Sequence, residues 1–236
     1  MIPIGDDDRP TGVPFAVLGI IAVNICVFVL EAGAQHPNAF INSFAAIPYD
    51  VTHNIVLAPP SPPFPWLTLI TSQFLHDGLL HIGSNMLFLF VFGPEVESLT
   101  GSPRFVLLYL TCGVLAGLAQ ISVMPGSHIP SIGASGAIAG ILGAYLLHFA
   151  NHRIQTIIPI GCFPLFVRLP AVLVIGLWAV TQFMHGFGAL SNRVLSEQGG
   201  GIAYFAHIGG FLAGVLLIGF FTKPQTLRRR VGYRWR

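Results

Sequence analysis

The chain has 236 residues, 53% of them apolar and 8% charged, with a formal net charge of +2. A soluble domain carries about 25% charged residues, so this composition excludes an ordinary soluble globule and points to a multi-pass membrane protein. The net charge says little about partners; the positions of the charges say more.

The N-terminal stretch DDDRP is acidic, and the apolar run after it is longer than the core of a cleavable leader. Residues 1–12 are therefore expected as a cytoplasmic tail and Val13–Leu30 as a first membrane span. Residues 31–78 follow as an external loop. Within it, FPWLTLITSQFL (64–75) is too short to cross a bilayer and follows the proline cluster PPSPPFP, so it reads as a short interfacial or re-entrant piece. Five more runs have spanning length: Leu79–Leu99, Phe105–Val123, Ile132–Ala150, Leu169–Gly188 and Gly201–Phe221. The stretch IQTIIPIGCFPLFV (154–167) contains Pro159 and Pro164, lies between Arg153 and Arg168, and reads as a loop at the membrane surface. Residues 223–236 form a basic tail. The expected fold is all-α, with six transmembrane helices in one membrane domain over residues 13–222.

Cytoplasmic loops hold an excess of Lys and Arg. With both termini inside, Arg9, Arg104, Arg153, Arg168, Lys223, Arg228, Arg229, Arg230, Arg234 and Arg236 are cytoplasmic and Arg193 is outside. The tail RRRVGYRWR then reads as a topology anchor beside anionic membrane lipid, not as a nucleic-acid site. Cys26, Cys112 and Cys162 are an odd, scattered set with no metal-ligand spacing and read as packing residues. No metal and no cofactor is expected.

Polar groups at membrane depth are costly, so each is a candidate for function. In the expected topology four lie near the outer ends of their helices: His81 and Asn85 on the second span, Ser135 at the start of the fourth and His207 on the sixth. At 1.5 Å per residue all four fall within about 10 Å of the outer face. His81 and Asn85 are i and i+4 and share a helix face. Ser135 stands in Gly133-Ala134-Ser135-Gly136. The glycines permit a tight turn, and a helix's first turn leaves N–H groups free for a developing oxyanion. His207 shares a stripe with Gly210 and Gly214, and Gly136, Gly140 and Gly143 form a matching small stripe on the fourth span. Small stripes let membrane helices approach closely. If these two meet, His207 comes within reach of Ser135 as its base. No Asp or Glu is placed to be a third member. Asp77, nearest in depth, lies in the loop before the second span, so a Ser–His dyad is expected, its histidine oriented by packing.

Together these residues resemble the rhomboid family of intramembrane serine proteases, over about residues 66–221. HIGSN resembles the family's His-x-x-x-Asn, GASG its Gly-x-Ser-Gly and AHIGG its histidine–glycine motif. His76 is similar to a further histidine of the family, and GPEVESLTG, with Glu97 and Gly101, to the turn closing the second helix. The resemblance implies that Ser135 is the nucleophile and His207 the general base, then acid. The Ser135 N–H, His81 and Asn85 would form the oxyanion hole, with His76, Gly133, Gly136 and Gly210 supporting the site. It implies transmembrane protein substrates cut near the outer face, and access by movement of the fifth helix and the 188–200 loop, with Gly199–Gly201 as its flexible end. The short loops and lack of extra domains suit a bacterial inner membrane. Two departures stand out. Leu67 follows Trp66 where the family often has Arg, and Ala139 stands one turn after Ser135 where it usually has an aromatic that stacks on the histidine. The alternatives are a catalytically weak or inactive relative that binds membrane proteins, a channel or transporter lined by His81, Asn85 and His207, and a His-ligated metalloenzyme. Spans that turn apolar below the outer third disfavour the channel, and no HExxH supports the metalloenzyme.

Overall fold

The computed structural model describes residues 1–58, 60–161, 163–191 and 203–223. In chain order it comprises β1 (Ile2–Asp6), α1 (Phe15–Ala32), α2 (Pro37–Phe44), α3 (Pro48–Thr52), α4 (Thr68–Thr71) flanked by two single 3₁₀ turns, α5 (Leu79–Thr100), α6 (Ser102–Val123), α7 (Ser135–Phe149), β2 (Arg153–Ile160), β3 (Phe163–Pro170), α8 (Ala171–Ser191) and α9 (Tyr204–Phe221). Arg193, Cys162, residues 192–200 of the loop expected outside with two of its three glycines, Gly201 at the expected start of the sixth span, and the basic tail beyond Lys223 lie outside the described residues.

The six expected spans correspond to α1, α5, α6, α7, α8 and α9. Among the described residues α1, α5, α6 and α9 are long and apolar enough to cross a membrane. The apolar helices Ser135–Phe149 and Ala171–Gly186 are shorter. The fourth helix starts at Ser135, three residues later than expected at Ile132, because Gly133 takes φ +110 and turns the chain just before it. The 31–78 segment is not a plain loop. Ala46 and Ser131 exchange backbone hydrogen bonds (3.1 and 2.9 Å), and the Gly133 N–H donates to the Ser72 carbonyl at 2.8 Å. This segment thus braces the chain leading into Ser135.

The fold is not all-α. β1, β2 and β3 form an antiparallel sheet, so residues 154–167 are a hairpin and the N-terminal tail begins as a strand. The prolines that argued for a loop, Pro159 and Pro164, fall opposite each other. Their missing donors are confined to one rung beside the turn, and the remaining Ile, Val, Thr and Phe favour the pleat.

Buried polar groups tie the helices together. Pro94 lies inside α5 and lacks the N–H that would bond the Phe90 carbonyl. Arg9 Nη2 donates to that carbonyl at 2.8 Å and so satisfies it from the N-terminal segment. The start of α1 has no side-chain cap of its own. Glu97, buried at the end of α5, supplies one: its two carboxyl oxygens accept the Ala16 and Val17 N–H groups at 2.9 Å each. Ser102 Oγ donates to the same group at 2.6 Å. Glu97→Ala leaves orphan donors on α1 and is expected to lower stability by about 3 kcal/mol. Glu97→Gln, which keeps an acceptor, should lose less. Thermal unfolding in detergent measures both.

Helices α7 and α9 cross at backbone contact. A Cβ on Gly210 would be driven into the Gly136 carbonyl oxygen, and one on Gly214 into that of Gly140. A Cβ on Gly136 would stand 2.7 Å from the Ala116 Cβ of α6. The two glycine stripes therefore do meet, as expected from their spacing.

Candidate active site

The crossing brings His207 onto Ser135. Ser135 is the first residue of α7 and half-buried; His207 lies in the first turn of α9 and is 9% exposed. Ser135 Oγ and His207 Nε2 are 2.7 Å apart. A hydroxyl donating to a neutral imidazole nitrogen is the arrangement of a base-activated nucleophile.

The pair opens on a cavity of about 880 Å³, also lined by Asp77, His81, Asn85, Trp178 and Gln182. Three donors border it. The Ser135 backbone N–H is one of the unpaired donors of a helix's first turn. His81 Nδ1 accepts the Asp77 N–H at 3.3 Å, which leaves Nε2 as the proton-bearing nitrogen. Asn85 is 7% exposed, and its Nδ2 is buried without a hydrogen-bond partner, a costly state for a donor that nothing uses. Gly133 makes room for them: a Cβ there would stand 2.7 Å from His81 Nε2 and 3.6 Å from Asn85 Nδ2. His76 is fully buried behind this group, its ring edge-on to His81 with centroids 5.0 Å apart. Burial, and then the neighbouring His81, push the His76 imidazole down to about 4, so it packs as a neutral ring.

Packing alone does not orient His207. Its Nδ1 lies 2.7 Å from Gln182 Oε1 on α8, and the Trp178 ring lies beside it with centroids 5.9 Å apart. Trp178 thus occupies a flank of the imidazole in a chain where Ala139, fully buried, carries no ring to stack there. Neither Gln182 nor Trp178 stood out in the sequence, since a lone amide in an apolar helix has no partner pattern. Their i, i+4 spacing was the available signal. Leu67 is exposed, and the residues just after it pack on α6. Leu69 packs on Gly117 of α6, and Gln73 Nε2 donates to the Leu69 carbonyl at 2.8 Å while lying against Gly113.

Asp6, Glu95 and His152 each bring one potential ligand atom, all within 4.8 Å of one another. They gather about 20 Å along α5 from His81, where Tyr145 donates its hydroxyl to Asp6 and His152 Nδ1 lies 3.5 Å from it.

Fold and site together define an integral membrane protein with a hydrogen-bonded serine and histidine facing a cavity at one end of its helices. Residues 63–224, more than half the chain, match the model of the Rhomboid domain, and the chain belongs to the rhomboid family. It is 37% identical over 153 residues to Rhomboid protease GluP of Bacillus subtilis, covering 64% of this chain and 26% of that protein. It is 31% identical over 174 residues to Rhomboid-type serine protease 2 of Emericella nidulans (72% and 30%). It is also 28% identical over 205 residues to the mitochondrial Presenilin-associated rhomboid-like protein of Mus musculus (86% and 47%). The matched region thus spans from about a quarter to about half the length of these relatives.

Proposed function

We propose that this chain is an intramembrane serine endopeptidase that cuts transmembrane proteins near the outer membrane face with a Ser135–His207 dyad. The observation that carries this reading is the 2.7 Å hydrogen bond between Ser135 Oγ and His207 Nε2 inside a cavity bordered by spare donors. Ser135 Oγ attacks the scissile carbonyl carbon as its proton passes to His207 Nε2. The oxyanion takes hydrogen bonds from the Ser135 N–H, His81 Nε2 and Asn85 Nδ2. His207 then protonates the leaving amine, and a water repeats the sequence on the acyl-enzyme ester. All six apolar helices span the bilayer in this reading, α7 and α8 as short spans, with both termini cytoplasmic in a bacterial inner membrane. The basic residues support that orientation. Ala139 is the feature that favours a binding role without cleavage; the Trp178 and Gln182 contacts to His207 weigh against it.

Labelling with a fluorophosphonate probe in detergent tests the reading without a known substrate. Wild type is expected to label and Ser135→Ala not to; no labelling of folded wild type overturns the protease in favour of the binding relative. Asn85→Ala removes one oxyanion donor and leaves the dyad in place. It is expected to lower the rate of peptide-bond cleavage by about 10²–10³-fold with little change in stability, measured on a reporter with a single transmembrane segment in vesicles.

A further inference from the structure

We infer that Gln182 is a positioning residue that holds His207 in the tautomer able to act as a base, taking the place of a carboxylate in a Ser–His–Gln relay. The inference rests on the protease reading above. A neutral imidazole carries one N–H. For Nε2 to accept the Ser135 proton, that hydrogen must sit on Nδ1 and must be held there by an acceptor. The group 2.7 Å from Nδ1 is the Gln182 side-chain amide, which offers an acceptor at one end and donors at the other.

Its orientation is decided by its neighbours. Thr181 Oγ1 lies 2.6 Å from the Trp178 carbonyl oxygen. A carbonyl can only accept, so the Thr181 hydroxyl donates to it. The Thr181 oxygen is thereby left as an acceptor, and Gln182 Nε2 lies 3.3 Å from it. The amide nitrogen is thus committed to Thr181 and the amide oxygen faces His207. The polarity of the whole line, from Ser135 through His207, Gln182 and Thr181 to the Trp178 carbonyl, runs one way. Trp178, Thr181 and Gln182 are i, i+3 and i+4 on α8, so one helical turn carries both the acceptor and the ring beside His207.

During attack the Oγ–H bond breaks, the Oγ–carbon bond forms and the proton arrives on Nε2. The imidazolium then has hydrogen on both nitrogens, and Nδ1–H continues to donate to Gln182 Oε1. The amide takes no proton. It supplies a fixed dipole where a serine protease triad supplies a charge, which fits an apolar helix that could not hold an anion cheaply. Since α7 and α9 supply Ser135 and His207 and α8 supplies the acceptor, a shift of α8 away from α9 removes the acceptor and the ring together.

The test is the second-order rate of fluorophosphonate labelling as a function of pH, for wild type, Gln182→Leu and Gln182→Glu, with thermal unfolding run beside each. Gln182→Leu removes the acceptor and is expected to slow labelling by about 10²-fold at its best pH. Gln182→Glu keeps an acceptor beside Nδ1 and is expected to recover most of the rate lost in Gln182→Leu. A purely structural Gln182 would alter unfolding in both variants and leave the folded fraction of Gln182→Leu labelling at the wild-type rate. Labelling of folded Gln182→Leu at the wild-type rate, or no recovery in folded Gln182→Glu, overturns the inference while leaving the protease reading intact. Failure of folded wild type to label overturns both.

Discussion

Ser135→Ala, His207→Ala and the double variant are each expected to lose cleavage of a transmembrane reporter by about 10⁴–10⁶-fold, and by nearly the same factor. The two side chains act on one proton, so removing either removes the chemistry that the other serves. Residual cleavage above the uncatalysed rate is expected to persist from the donors around the cavity. Both side chains are small contributors to the fold. Ser135 is half-buried at the very start of α7, and the His207 side chain meets Ser135, Gln182 and the Trp178 ring. The unfolding temperatures of the variants should therefore stay close to wild type. Losses that multiply in the double variant would mean that the two residues act separately, and the dyad would be wrong.

Gly214→Val is expected to be the most damaging substitution outside the site. Its Cβ would enter the Gly140 carbonyl oxygen, and a carbonyl inside a helix cannot swing aside. Helices α7 and α9 must separate, at about 3 kcal/mol or more from lost packing and strain. Gly214 is two turns beyond His207 and touches neither it nor Ser135, so a fall in fluorophosphonate labelling in the folded fraction would report the separation of the helices themselves. Gly219→Ala is the matched control. It lies on the same helix, and a methyl group placed there would meet nothing within 4 Å. The change is expected to be neutral or to stabilise by about 0.5–1 kcal/mol through helix propensity. Thermal unfolding and labelling, measured together, separate the two outcomes.

Much of the site was legible before the fold. His81 and Asn85 stand out because polar groups are rare in apolar helices, and Gly133-Ala134-Ser135-Gly136 because a turn is needed to present a hydroxyl. The glycine stripes carried the pairing of α7 with α9, since a backbone-to-backbone crossing leaves a period that a single sequence displays. The hairpin of β2 and β3 was hidden because Pro159 and Pro164 signal a loop when read one at a time. Their harmlessness depends on being opposite each other, which is a fact of register. The cap on α1 was hidden for a similar reason: Glu97 lies some 80 residues from the N–H groups that it accepts.

Periodicity and the cost of polar groups in an apolar setting thus sufficed, from residue order alone, for the apolar helices and for the meeting of the serine with the histidine. The tertiary structure alone decided what stands on the other side of His207. Gln182 and Trp178 belong to a helix with no motif, and the acceptor's identity follows from where α8 packs and from the one-way chain of donors through Thr181. Local patterns record which face of a helix is buried or small; they do not record which atoms of a third helix arrive at that face.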